Sequence, residues 1–328
     1  MNKKIIFFVF VYFFSMQTYV IGKASHSSDA IYEQIKDIYH PTLEDYYLIQ
    51  NYLTNGAREG LEKLTYTAAR QRNIKIIGPS VNELPQSEII PVNTDIEDKQ
   101  NCLVLYTSFN VRYPDGLKRL IKIVKESDFK GHILYHLGGW PDLEGGSLTL
   151  AHVPFAFKVC CFKEAQKLGY KRVLWLDSSI IPLVSLNSIF TMIEEKGYFT
   201  IRNSHNVGPY SNHTAVAYFG YTLEETHHIL ACQAGFLGVD LTTEHGEKII
   251  DLWYLAAKDE NAFYSTLSDQ IALSLILHKS NLTSISDLTE HDFRRSHSRH
   301  DTLNEDDYRR CHPRPNTLFL VDRNFVQY

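Results

Sequence analysis

No C-x-x-C pair occurs among the five cysteines, Cys102, Cys160, Cys161, Cys232 and Cys311. That removes a zinc ribbon from consideration. An odd number leaves at least one thiol unpaired within the chain, and three of them lie in apolar runs that suit a core. A basic excess is also missing. Lysine and arginine number 33 against 38 acidic residues, for a net charge of −5, so the composition does not point to nucleic acid. No G-x-G-x-x-G is present. The glycine-rich stretch 138–147 does not open directly into a helix, so it is not read as a dinucleotide loop. His291, His297, His300 and His312 form no H-E-x-x-H or comparable zinc spacing. No internal repeat or low-complexity tract is visible.

What is present is a chain of 328 residues, 44% of them hydrophobic, enough for one large domain with an extension. The 20 tyrosines and 18 phenylalanines suit sugar or base stacking, and equally an ordinary core. The start reads as a targeting segment. Lys3 and Lys4 precede the apolar stretch 5–21, and Gly22, Lys23, Ala24 and Ser25 supply small residues for cleavage. A cleaved signal in residues 1–24 is the first reading. A single membrane anchor through 5–21 is the second. Either places the body in a secretory or exported compartment, and the sequons at Asn212 and Asn281 are compatible with a secretory route. Residues 25–98 read as a helical extension and linker. Ile31, Ile35 and Ile38 share one helical face before Pro41, and 78–100 carries three prolines among many polar residues. The main domain is expected over 99–328.

Within it, short apolar runs rich in β-formers alternate with helical spacing. Residues 102–106, CLVLY, and 132–137 read as buried strands around a helix at 117–124, a βαβ unit of a parallel sheet. Residues 154–168 form the next helix, and 173–176, VLWL, a third buried strand. That strand ends abruptly in Asp177-Ser178-Ser179. Ligands of open α/β sheets bind at the carboxyl ends of strands, where an acid can hold a divalent cation or a ribose hydroxyl. Later come the strand 234–241 with Gly235, Gly238 and Asp240, the amphipathic helix 246–257, and Ser268-Asp269-Gln270 opening an apolar helix.

Taken in order, these motifs resemble the GT-A nucleotide-sugar glycosyltransferases, nearest in type to the retaining glycogenin and bacterial galactosyltransferase group. The resemblance covers 102–277. The segment 174–182, LWLDSSIIP, is similar to that family's strand and Asp-x-Asp turn, except that Ser179 stands where the second acid is expected. The resemblance implies a Rossmann-like α/β fold, a mostly parallel central sheet flanked by helices, with an N-terminal helical extension. It implies transfer of a sugar from a nucleoside diphosphate sugar to a glycan or protein acceptor. It assigns Thr107, Ser108 and Asn110 to the nucleotide. Lys158 stands where the family has a donor-binding Arg. Asp177, Ser179 and His297 become candidate ligands for Mn²⁺ or Mg²⁺, with Arg294, Arg295 or Arg299 near the diphosphate. Asp269 and Gln270 would orient the sugar and face its reacting carbon. Asp240 would bind sugar hydroxyls or act as a base.

Read without the resemblance, the same residues have plainer roles. Asp177 and Asp240 would cap turns, Lys158 would be a solvated lysine, and Ser268 would cap its helix with Asp269 favouring the dipole. Two rival functions remain on these terms. One is a non-catalytic exported protein that binds a glycan or a partner. The other is a glycoside hydrolase using Asp177 and Asp240 as a facing pair.

Overall fold

The computed structural model describes residues 87–107, 113–137, 141, 143, 150, 153, 155–282, 293–295 and 318–321. The expected targeting segment and helical extension lie outside the described residues.

A six-stranded sheet forms the centre. Its strands are β1 (Ser87–Val92), β2 (Asn101–Thr107), β3 (Gly131–Leu137), β4 (Arg172–Leu176), β6 (Tyr198–Asn206) and β7 (Leu230–Asp240). Across the sheet the order is β1-β3-β2-β4-β7-β6. β2 runs parallel to β3 and to β4, while β1 and β7 run against their neighbours. β6 runs against β7 and so shares the direction of β4. The sheet is therefore mostly parallel, as the apolar runs of β2 and β4 predict.

Helices cover both faces. They are α1 (Tyr113–Lys125), α2 (Phe157–Lys167), α3 (Leu186–Lys196), the short α4 (His213–Tyr218) and α5 (Leu223–Thr226), α6 (Glu244–Lys258) and α7 (Ser268–Lys279). Strand side chains alternate between faces, and two cores result. Cys102, Val104, Val173 and Trp175 pack with α2, α6 and α7. Leu103, Leu105, Leu174 and Leu176 pack with α1 and α3. Both faces of these strands are buried, which is why they read as unbroken apolar runs. Cys102, Cys160, Cys161 and Cys232 are free and buried, and burial pushes the Cys232 thiol up to about 12.

Two strands differ from the sequence expectation. β1 lies inside the segment expected to be linker. It is an edge strand, bonded on one side to β3, and Pro91 within it is tolerated because an edge needs no second set of donors. β6 and β7 form a long antiparallel pair. The polar run Arg202–Asn206 is its outer half, and β7 begins at Leu230, ahead of the strand expected over 234–241.

A second, three-stranded sheet follows the Asp177 turn. It has the order β5-β9-β8, built from β5 (Ile180–Pro182), β8 (Phe293–Arg295) and β9 (Phe319–Val321). Val321 pairs with Ile180 on one side and with Arg295 on the other. The backbone of Arg294 and Arg295 thus lies two strands from β5, roughly 10 Å away.

Candidate functional site

β4 ends at Leu176, and the chain turns at once. The Asp177 N–H donates to Gly235 O at 2.9 Å, and the Ile180 N–H donates to Asp177 O at 2.8 Å. Ser178 and Ser179 sit buried inside that turn. The Asp177 side chain remains 42% exposed. Its Oδ1 accepts the indole N–H of Trp175 at 2.9 Å, and its Oδ2 lies against the backbone of β7. A methyl group added at Gly235 would come within 2.6 Å of that oxygen. Glycine is needed here for close approach, not for a special dihedral.

Lys158 enters from the first turn of α2. Far from being solvated, it is 5% exposed. Its Nζ lies 3.3 Å from Asp177 Oδ1 and 2.7 Å from Asp269 Oδ2, and it donates to Ala234 O at 3.1 Å. The Trp175 ring centroid is 5.7 Å away. Burial alone would lower this ammonium's affinity for its proton. The charges of Asp177 and Asp269 and their hydrogen bonds outweigh that, holding Lys158 above the ordinary lysine range. One buried cation therefore ties α2, the end of β4, β7 and the start of α7.

Asp269 and Gln270 open α7, as expected. The residue preceding the helix is Leu267, which makes no side-chain cap; Ser268 is already helical. Asp269 is turned to Lys158. Gln270 Nε2 lies 3.2 Å from His205 Nε2, and Gln270 is 8% exposed. α7 is stapled to β7 by Ser274, which takes the Cys232 N–H at 2.9 Å and donates to Gln270 O at 2.6 Å. His205, Trp175 and Ser274 were not singled out from the sequence. His205 and Ser274 act through partners distant in the chain, and Trp175 through Asp177, two residues on.

The structure thus brings together Lys158, Asp177 and the adjacent pair Asp269-Gln270, from three separate stretches of the sequence. Thr107, buried, ends β2 at the same edge of the sheet, since β2 runs parallel to β4. Ser108, Asn110, His297 and Arg299 lie outside the described residues.

Asp240 is not part of this group. It pairs with Arg172 at the opposite end of β4, five residues of strand from Asp177, or roughly 16 Å. Its Oδ1 takes the Thr242 N–H at 2.9 Å and the Thr242 hydroxyl at 2.5 Å. It closes the turn ahead of α6, whose cap is Thr243. The two aspartates are too far apart to flank one glycosidic bond, which needs ~5–9.5 Å between carboxyls, so the hydrolase pairing is excluded.

The described residues do not fit a divalent cation. Asp177 shares Oδ1 with an indole N–H and an ammonium, Ser179 is an uncharged hydroxyl, and Asp269 is committed to Lys158. Among the described residues no cluster of three His, Cys, Asp or Glu could hold a metal ion. Hard cations such as Mg²⁺ require several oxygen ligands, carboxylates first. No helix among the described residues is long and apolar enough to cross a membrane.

A site at the carboxyl edge of a mostly parallel α/β sheet defines the class of fold. No family model matches this chain, and no curated protein matches it by sequence. Among solved structures, it is similar to the apo form of mouse xyloside xylosyltransferase 1. The two share 9% identity over 68% of this chain and 97% of that one, with a TM-score of 0.38.

Proposed function

We propose that this protein is a glycosyltransferase that moves a sugar from a nucleoside diphosphate sugar to an acceptor hydroxyl. One observation carries the reading. Lys158 joins the acid at the β4 exit to the acid opening α7, so residues from three separate motifs share a single half-open edge. In this reading the exposed face of Asp177 accepts hydrogen bonds from donor hydroxyls. Asp269, held by Lys158, fixes the start of α7, and Gln270 turns an amide toward the reacting carbon, where positive charge develops. A glycan or protein hydroxyl is the acceptor, and Mn²⁺ or Mg²⁺ is given no step.

The test is incubation of the purified chain with a panel of nucleotide sugars, with Mn²⁺, with Mg²⁺ and with chelator, following release of nucleoside diphosphate. Release is expected, and Asp269→Asn should reduce it by about 100-fold. No hydrolysis or transfer from any donor under any condition would overturn the reading.

A second reading, a non-catalytic protein that binds a neutral glycan, is favoured by the saturation of Lys158. All three N–H groups are spent on Asp177, Asp269 and Ala234 O, so none is left for a phosphate. Calorimetric titration separates the two. Heat on adding UDP supports the transferase, and heat only with an oligosaccharide supports the binding protein.

A further inference from the structure

His205 lies in the polar outer half of β6. Its ring makes three contacts. Nδ1 is 3.1 Å from Asn206 O, Nε2 is 3.2 Å from Gln270 Nε2, and the ring packs on Tyr210 at 4.3 Å between centroids. We propose that His205 is a positioning residue that fixes which end of the Gln270 amide faces the sugar. The proposal rests on the transferase reading.

The argument is one of donors and acceptors. A carbonyl oxygen only accepts, so the ring nitrogen facing Asn206 O carries the proton. In a neutral imidazole the other nitrogen is then an acceptor. The group facing it must donate, and in Gln270 that is the NH₂. The amide nitrogen is thereby turned to His205 and the carbonyl oxygen away from it. An electron-rich oxygen is the end that suits a carbon gaining positive charge. Gln270 sits on α7, whose backbone Ser274 ties to β7, and the His205 contact selects which end of its amide faces the ring.

Protonation reverses the pattern. An imidazolium donates from both nitrogens, so a facing NH₂ becomes a donor against a donor. The amide then rotates by half a turn and spends its oxygen on His205. Several titratable or charged groups surround the contact. Tyr210 stacks on the ring, Asp269 with Lys158 lies next to Gln270 on α7 and α2, and Arg202 lies on the same strand. His227 offers its backbone O to Asn206 Nδ2 at 2.6 Å.

The experiment has two parts. In the first, ¹⁵N–¹H correlation spectra of the full-length protein report the His205 tautomer without any turnover. The Nδ1–H form is expected in wild type and equally in Gln270→Leu, because Asn206 O holds it. An Nε2–H form in wild type would overturn the proposal. In the second, His205→Ala is expected to lower kcat by about 10- to 100-fold with the donor KM within about twofold. His205→Gln keeps a hydrogen-bond acceptor that does not titrate. It should recover part of kcat. Wild-type kcat in His205→Ala, or no recovery in His205→Gln, would overturn it. A wild-type protein with no turnover defeats the transferase reading instead, and the spectra then decide the geometry alone.

Discussion

Two aspartates stand near opposite ends of the same pair of strands, and they behave differently. Asp240 is served by its own turn, where both bonds to its Oδ1 come from Thr242, two residues on. Asp177 is served in part by Trp175, two residues back, and in part from other elements. Its partners are Lys158 on α2 and the indole of Trp175, and its Oδ2 lies against Gly235 on β7. A locally satisfied carboxylate needs nothing beyond its turn. One assembled from three elements, still 42% exposed, keeps a face open. The first design serves stability and the second serves a site.

The sharpest way to break the contrast is Lys158→Met. It leaves Asp269 buried without its counter-charge, and unfolding in urea should show a loss of about 3 kcal/mol, toward the low end for a broken buried pair because Asp177 is partly solvated. Donor turnover should fall by about 100-fold or more, and Lys158→Arg should restore folding better than turnover. The sign with pH follows from the raised lysine. Its contribution is whole below the unfolded value of about 10.4 and is lost only as pH rises through the higher folded value. The stability gap between wild type and Lys158→Met should therefore stay flat from neutral pH to about pH 9 and close beyond that range.

Gly235→Ala and Gly246→Ala test the two ends with the same added methyl. At Gly235 it meets a side-chain oxygen of Asp177 at 2.6 Å, which can swing away. Turnover should drop by about tenfold for a stability loss near 1 kcal/mol. At Gly246 it meets the Asp240 carbonyl at 2.0 Å, which cannot move without the turn. That variant should lose about 2–3 kcal/mol in thermal unfolding and keep its turnover per folded molecule. The smallest effect is expected from Asp240→Asn, about 1 kcal/mol or less, with donor kinetics unchanged. A kinetic defect there would undo the distinction between the two acids.

The sequence told these regions apart only in part. β2 and β4 were legible because both faces are buried, leaving apolar runs that suit little else. β1 was not, since an edge strand with an exposed face and a proline carries no such pattern. The polar half of β6 carries no apolar alternation to mark it, although it pairs with β7 through Asn206. Asp177 and the Asp269-Gln270 pair could be found because a change of residue type at an element's end is a local signal. Lys158 was weighed as a solvated lysine, and helical spacing alone could not reveal two carboxylates arriving 19 and 111 residues later. His205 gave no signal, because its meaning lies in the amide it meets across the fold.

The indole of Trp175 gives this site an optical readout of its own. Its N–H rests on the Asp177 carboxylate, and its ring lies beneath the Lys158 ammonium and beside Phe157. Indole emission responds to the charge and hydrogen bonding around it. A sugar hydroxyl that draws Asp177 outward would therefore change the intrinsic fluorescence of this residue, one of only three tryptophans in the chain, with no label attached.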